Sequence, residues 1–177
     1  DLARHTCSQE DAEPAGKTEM GWTDGDAIGA DPEKAGMSEA HLPGIVAIFN
    51  HAVRETFSIW SETETTLDLR RAWLKARNSA GFPVIVAVDP AKPNEVLGYG
   101  SFGVFRDFPG YVKTVEHSVY VTPSAQRCGV GRAILAELVK RAQAKGLAAM
   151  VGGIDSANAG SIALHEQAGF EIQGNLK

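Results

Sequence analysis

Two cysteines in 177 residues, Cys7 and Cys128, lie in unrelated contexts and give neither a disulfide framework nor a metal-ligand spacing. The histidines His5, His41 and His51 add no metal-binding spacing either, so no metal is expected. No apolar run approaches the roughly 20 residues that a membrane helix requires. The leading residues lack a secretory signal's apolar core and an import sequence's Arg-rich, acid-poor composition, so the expected address is cytoplasmic, with no membrane partner. An excess of basic residues is also lacking, with 17 Lys+Arg against 22 Asp+Glu and a net charge of −5. Nothing draws this surface to nucleic acid phosphates. What is present is a composition 44% hydrophobic and 22% charged, suited to one globular domain with a real core.

The charge is uneven. Residues 1–36 carry 3 Lys+Arg and 9 Asp+Glu, whereas residues 37–177 carry 14 and 13. The leading segment is rich in Gly, Ala and acids, with Met20, Trp22 and Ile28 as its sizeable apolar residues. It is expected to be a disordered acidic extension, and the folded domain is expected over 37–177.

From residue 38 two periods alternate. "SEAHLPGIVAIFNHAVRE" places Leu42, Ile45, Val46, Ile48, Phe49 and Val53 at helical spacing, with Ser38 as N-cap. "TTLDLRRAWLKARNSAG" predicts a second helix that turns Leu67, Ala72, Trp73 and Leu74 inward and ends at Gly81. "PVIVAVD" and "EVLGYGSFGVF", separated by turn signals at Pro90, Pro93 and Asn94, predict a hairpin. In "TVEHSVYV" the strand period sends Val115, His117, Val119 and Val121 to one face and Glu116, Ser118 and Tyr120 to the other. A helix follows, with Ile134, Leu135, Leu138, Val139 and Ala142 inward and Gly146 as its stop.

Strand and helix are joined through "SAQRCGVG". The first turn of a helix offers unpaired N–H groups and the positive end of the helix dipole, a natural anion site. Gly129 and Gly131 remove side chains from that backbone, while Arg127 and Arg132 add charge. The turn is suited to a phosphate, most naturally a pyrophosphate. It is not a GxxxxGK[ST] loop, and it lacks the third glycine and the βαβ setting of a dinucleotide fold, since position 134 is Ile.

"QRCGVGRA" does match Q/R-x-x-G-x-G/A, and in this setting it resembles the pyrophosphate loop of the GNAT superfamily of acetyl-coenzyme A transferases. The downstream "SANAGSIALHEQAGFEI" resembles the second signature of that superfamily. "AIFNHAVRETFSIWSET", "FRDFPGYVKTVEHSVYV" and "NAGSIALHEQAGF" resemble the phosphinothricin and methionine sulfoximine N-acetyltransferase branch, over roughly residues 40 to 175. The resemblance implies an α/β (α+β) fold with a mixed, mostly antiparallel sheet, a V-shaped strand splay and flanking helices. It also implies acetyl-CoA as co-substrate, a small amine as acceptor and a homodimer.

Acetyl transfer to an amine that arrives as ammonium needs a base. Glu116, on the strand before the loop and flanked by valines, is placed to take the proton directly or through water; the resemblance assigns the base to the same residue. The competing reading pairs Glu116 structurally with Arg106 or His117. The oxyanion that develops on the thioester needs donors, which backbone N–H groups of Val119, Tyr120 and Val121 would supply.

By resemblance the coenzyme is held by Arg127, Cys128, Gly129, Val130, Gly131, Arg132, Asn158 and Gln167. Helix capping by Asn158 and a solvated Gln167 are the bland alternatives. The substrate pocket would take Arg106, Asp107 and Phe108, with Arg106 on the substrate carboxylate, together with Trp60, Glu116, His117 and Ser118. Phe57 and Trp60 suit a pocket wall or ordinary core equally. His165 is associated with catalysis in the branch, and equally fits a packed histidine. Cys128, at a helix start, is not needed for direct transfer. Relative to the family pattern, "PEKAGMSEA" replaces an opening strand, and the family's last strand is not found after "FEIQGNLK". A catalytically weak coenzyme-binding or oligomerising module, and an acetyltransferase acting on protein amines, are therefore the alternatives to a small-molecule enzyme.

Overall fold

The computed structural model describes residues 37–89 and 91–175; the acidic segment read as an extension lies outside them. After a short 3-10 turn come α1 (Leu42–Glu55), α2 (Leu67–Ser79), β1 (Val84–Asp89), β2 (Lys92–Val104), β3 (Thr114–Val121), α3 (Val130–Ala144), β4 (Ala149–Gly152) and α4 (Ala159–Gln167). The strands form one sheet in the order β1-β2-β3-β4. The pairs β1/β2 and β2/β3 are antiparallel and β3/β4 is parallel, the mixed, mostly antiparallel sheet that the sequence predicts.

Period-2 alternation divides the core between the two faces. Ile85, Ala87, Phe102 and Val115 pack against Val130, Ile134 and Leu138 of α3. Val84, Val86, Val96 and Tyr99 pack on the other face against Leu42, Ile45 and Ile48 of α1 and Leu74 of α2. On the α3 face, β2 presents Gly98 and Gly100, and the helix lies directly on the strand. A Cβ on Gly100 would stand 2.5 Å from Ile134 Cγ2 and 3.0 Å from Leu138 Cδ1.

Three local expectations are corrected. The inward stripe of α2 is Arg70, Trp73, Leu74 and Arg77, whereas Leu67 and Ala72 are exposed. Pro93 and Asn94 belong to β2 and not to the turn, because the hairpin closes at Asp89↔Lys92. Pro93 is tolerated there because it falls in the register shift between Val88↔Val96 and Asp89↔Lys92, where no ladder bond needs its missing N–H, and its carbonyl lies 3.1 Å from His41 Nε2. Gly131 serves packing as much as ligand approach, since a Cβ there would stand 3.3 Å from Leu164 of α4.

A buried histidine pair fastens α4 to β3. His165 Nδ1 lies 2.6 Å from the Ser161 carbonyl and so donates to it, and His165 Nε2 then accepts from His117 Nε2 at 3.0 Å. Phe170 stacks on the His117 ring with centroids 5.3 Å apart. Gly152 leaves the space, for its Cβ would stand 2.6 Å from His117 Cε1. Burial, and then the neighbouring His165, push the His117 pKa down to about 4.

Two outcomes are expected. Gly100→Ala lowers stability by about 1–3 kcal/mol through overpacking against α3, read as a lower urea midpoint with an unchanged m-value. Second, the unfolded chain takes up a proton at His117 below about pH 6.5, whereas the native state resists until about pH 4. Stability is therefore full above the higher value and falls as pH drops through this window, by up to about 3 kcal/mol. Urea denaturation at several pH values should show this slope, and His117→Gln should flatten it; an equal slope in the variant would place the acid sensitivity elsewhere.

Candidate active site

Strand β3 is paired on both sides only over its first half. Its parallel register with β4 runs from Thr114↔Ala149 to His117↔Gly152 and stops. Ser118 to Val121 continue alongside β2 with no β4 partner. The Thr122 N–H donates to the Leu97 carbonyl at 2.9 Å, and the alternation of an antiparallel ladder then turns the peptide groups of Val119 and Val121 away from β2. They face the gap where the two strands have parted. This is the expected splay, and it leaves strand backbone ready to bond a ligand.

Past the gap the chain enters the glycine loop. Arg127 (φ 62°) and Gly129 (φ 84°) are both left-handed, and Gly129 is the N-cap of α3. No heavy atom lies within 4 Å of the place where a Gly129 Cβ would be. Arg127 and Arg132 are exposed beside it. A non-glycine residue held at positive φ, an open glycine and a helix start together fit a pyrophosphate. Cys128 is buried, which removes it as an accessible nucleophile. Arg132 Nη2 donates to Gln167 Oε1 at 3.2 Å, so those two candidates meet across α3 and α4. Asn158 caps α4 by accepting from Ser161 N at 3.0 Å, while its Nδ2 donates to Ser58 Oγ at 3.3 Å.

Strand β3 separates the remaining candidates. Glu116 and Ser118 face α2, where they line a cleft of about 100 Å³ together with Arg70, Arg77, Tyr99 and Tyr120. Glu116 is exposed and forms no ion pair with any described residue, so the proposed pairings with Arg106 and His117 are not found. His117 points to the opposite face, buried against His165, and neither ring reaches the cleft. Both nitrogens of His165 are occupied by the contacts that hold α4.

Trp60 and Phe57 are not core, being 75% and 77% exposed. Trp60 nonetheless approaches the site, since a Cβ on Gly153 would touch Trp60 at 3.4 Å and Glu116 Oε1 at 3.7 Å. The tryptophan and the carboxylate thus flank the residue just after β4. Arg106, Asp107 and Phe108 are exposed in the β2–β3 loop, with the Arg106 guanidinium 5.1 Å from the Phe105 ring and outside the cleft. The two arginines that do line it, Arg70 and Arg77, escaped the sequence reading. The signal that could have found them is their spacing of seven on α2, in register with Trp73 and Leu74. Among the described residues no group of His, Cys, Asp and Glu could hold a metal, and no helix is long and apolar enough to cross a membrane.

Comparison with known proteins agrees with this geometry. The family model described as Acetyltransferase (GNAT) family matches residues 45–170. An L-methionine sulfoximine/L-methionine sulfone acetyltransferase of Pseudomonas paraeruginosa is 50% identical over 137 residues, covering 77% of this chain and 78% of the relative. A phosphinothricin N-acetyltransferase of Streptomyces coelicolor is 34% identical over 78% of this chain and 81% of its own. The solved structure of a putative acetyltransferase from Salmonella typhimurium with its cofactor acetyl-CoA superposes with a TM-score of 0.76 at 40% identity, over 84% of this chain and 82% of that one. The parted strands, the glycine loop and these likenesses converge: the chain belongs to the GNAT family of acetyltransferases, which use acetyl-CoA as co-substrate.

Proposed function

We propose that this enzyme acetylates the α-amino group of a small amino acid or analogue of the methionine sulfoximine, methionine sulfone or phosphinothricin type, by direct transfer with Glu116 as general base. The observation that carries the reading is the position of Glu116: exposed, free of any ion pair, and beside the point where β3 and β4 part. The names of the relatives support the acceptor class.

Acetyl-CoA supplies the acetyl thioester. The α3 start, with Gly129, Arg127 and Arg132, is suited to its pyrophosphate; Gln167 meets Arg132 there, and Asn158 stands at the other end of α4 as a candidate contact for the rest of the coenzyme. The peptide N–H groups of Val119 and Val121 are offered to the oxygen on which charge develops as the amine attacks. Glu116 takes the ammonium proton, so that the nitrogen lone pair is free to attack and the thiol is the leaving group. Trp60 walls the mouth beside Glu116. His165 acts through His117, holding β3 and α4 together, and takes no part in proton transfer. A homodimer in the cytoplasm completes this reading; exposed Val104, Phe108 and Val112 offer an apolar surface for a partner copy.

Thiol release from acetyl-CoA, measured with methionine sulfoximine, methionine sulfone and phosphinothricin, tests the proposal. The parent chain should turn over at least one of them, and Glu116→Gln should lower kcat/KM by about 10²–10⁴ while retaining coenzyme binding. Coenzyme binding without turnover in the parent would favour the weak binding module; full activity in the Gln variant would place the base elsewhere.

A further inference from the structure

The cleft under α2 has a composition that the base alone does not explain. Two guanidinium groups, Arg70 and Arg77, enter it from positions about two turns apart on one helix, and Glu116 is the one carboxylate in its lining. Both are half-buried, and burial lowers both pKa values from the ordinary arginine value. Neither is in an ion pair with a described residue. The Glu116 carboxylate offsets part of this for Arg77 across the cleft, short of ion-pair contact, and holding two cations partly out of water stays costly unless a closer anion joins them.

Their hydrogen bonding is incomplete in the same direction. Arg70 is fixed as a wall, its Nε donating to Thr65 Oγ1 at 3.1 Å and its guanidinium lying 3.7 Å over the Phe49 ring. Arg77 donates once, from Nη1 to the Phe102 carbonyl at 3.2 Å, and a guanidinium carries five donors. It lies against Gly103, where any Cβ would fall on the guanidinium itself. Tyr99 is 2% exposed, lines the cleft, and has a hydroxyl with no hydrogen-bond partner. Burial raises its pKa far above the ordinary phenol value, so it remains a donor. The space of about 100 Å³ has room for more than a single ordered water, and so for a carboxylate-sized group.

We propose that this cleft is the carboxylate subsite for the acceptor, with Arg77 as the two-pronged partner and the Tyr99 hydroxyl and Arg70 completing a wall of donors. The inference rests on the amino-acid acetyltransferase reading above and moves the carboxylate from Arg106 to α2. An α-amino acid carries its ammonium and carboxylate on one carbon, and Glu116 and Arg77 line one cleft without pairing to each other. The acceptor thus bridges them, carboxylate inward and amine towards the parted strands.

The test compares methionine sulfone with its decarboxylated amine, on the full chain with acetyl-CoA, in the parent, Arg77→Gln, Arg77→Lys, Tyr99→Phe and Arg106→Gln. Arg77→Gln should raise KM for methionine sulfone about ten- to a hundredfold, from the loss of charged hydrogen bonds, and leave KM for the decarboxylated amine unchanged. Arg77→Lys should recover part of the loss. Tyr99→Phe removes a hydroxyl that bonds nothing in the protein, so it should raise KM without lowering Tm, a combination that a packing role would not produce. Calorimetric titration of methionine sulfone into enzyme with coenzyme A should show the same ranking without turnover. If the parent acetylates methionine sulfone but Arg77→Gln leaves KM unchanged, or raises it equally for both amines, this inference falls alone. A selective loss in Arg106→Gln instead would return the carboxylate to the β2–β3 loop. A parent that acetylates only carboxylate-free amines and binds no methionine sulfone would overturn the amino-acid reading together with this subsite.

Discussion

The parting of β3 from β4 after His117↔Gly152 is the constraint on which the rest of the structure depends. At this last pair the His117 ring occupies the space above Gly152 that a side chain would fill. That ring is in turn stacked on Phe170 and bonded to His165, so α4 and the chain after it hold the junction in place. One residue before the junction, Glu116 projects to the opposite face. Two and four residues after His117, Val119 and Val121 present backbone with no strand beside it. The Glu116 carboxylate and the hydrogen-bonding edge are therefore placed by one break in a ladder, and their separation is set by strand geometry.

The faces that this strand divides differ in character. The α3 side is apolar and close-packed, with Gly98 and Gly100 allowing Ile134 and Leu138 down onto β2. It supplies stability and a rigid platform for the loop that leads into α3. The α2 side gives up part of its apolar burial. Leu74 is the one buried residue of α2, and arginines occupy positions that a purely structural helix would fill with leucine. Half-buried guanidinium groups and an unpartnered tyrosine hydroxyl detract from the stability of the fold. Their presence beside Glu116 is the pattern expected where folding has yielded to binding.

Much of this was legible in the chain. The hairpin, the alternation of β3, the stop at Gly146 and the glycine turn before α3 follow from period and turn chemistry, which act over a few residues. The open glycine loop at the start of α3 was legible for the same reason, since its backbone chemistry is local. The inward face of α2 was not, because Arg70 and Arg77 read as solvent residues unless Gly103, on a strand 26 positions beyond Arg77, makes room for a guanidinium. Arg106 is a different case: its carboxylate role is what the family resemblance implies, and the packing shows only that it is exposed in the β2–β3 loop with its guanidinium near the Phe105 ring.

The sequence by itself determined which segments are helix or strand, which residues of β3 share a face, and where an anion can meet a helix start; each depends on backbone preference within one turn or one strand. Only the tertiary structure decided that β3 and β4 separate after four paired residues, that His117 and His165 join as a buried pair, and that two arginines share a cleft with Glu116. Those outcomes depend on residues 26 to 48 positions apart meeting in the same space, at His117 with Gly152 and His165, and at Arg77 with Gly103 and Glu116. No local period encodes such a competition, because it is settled by which side chains the sheet brings face to face.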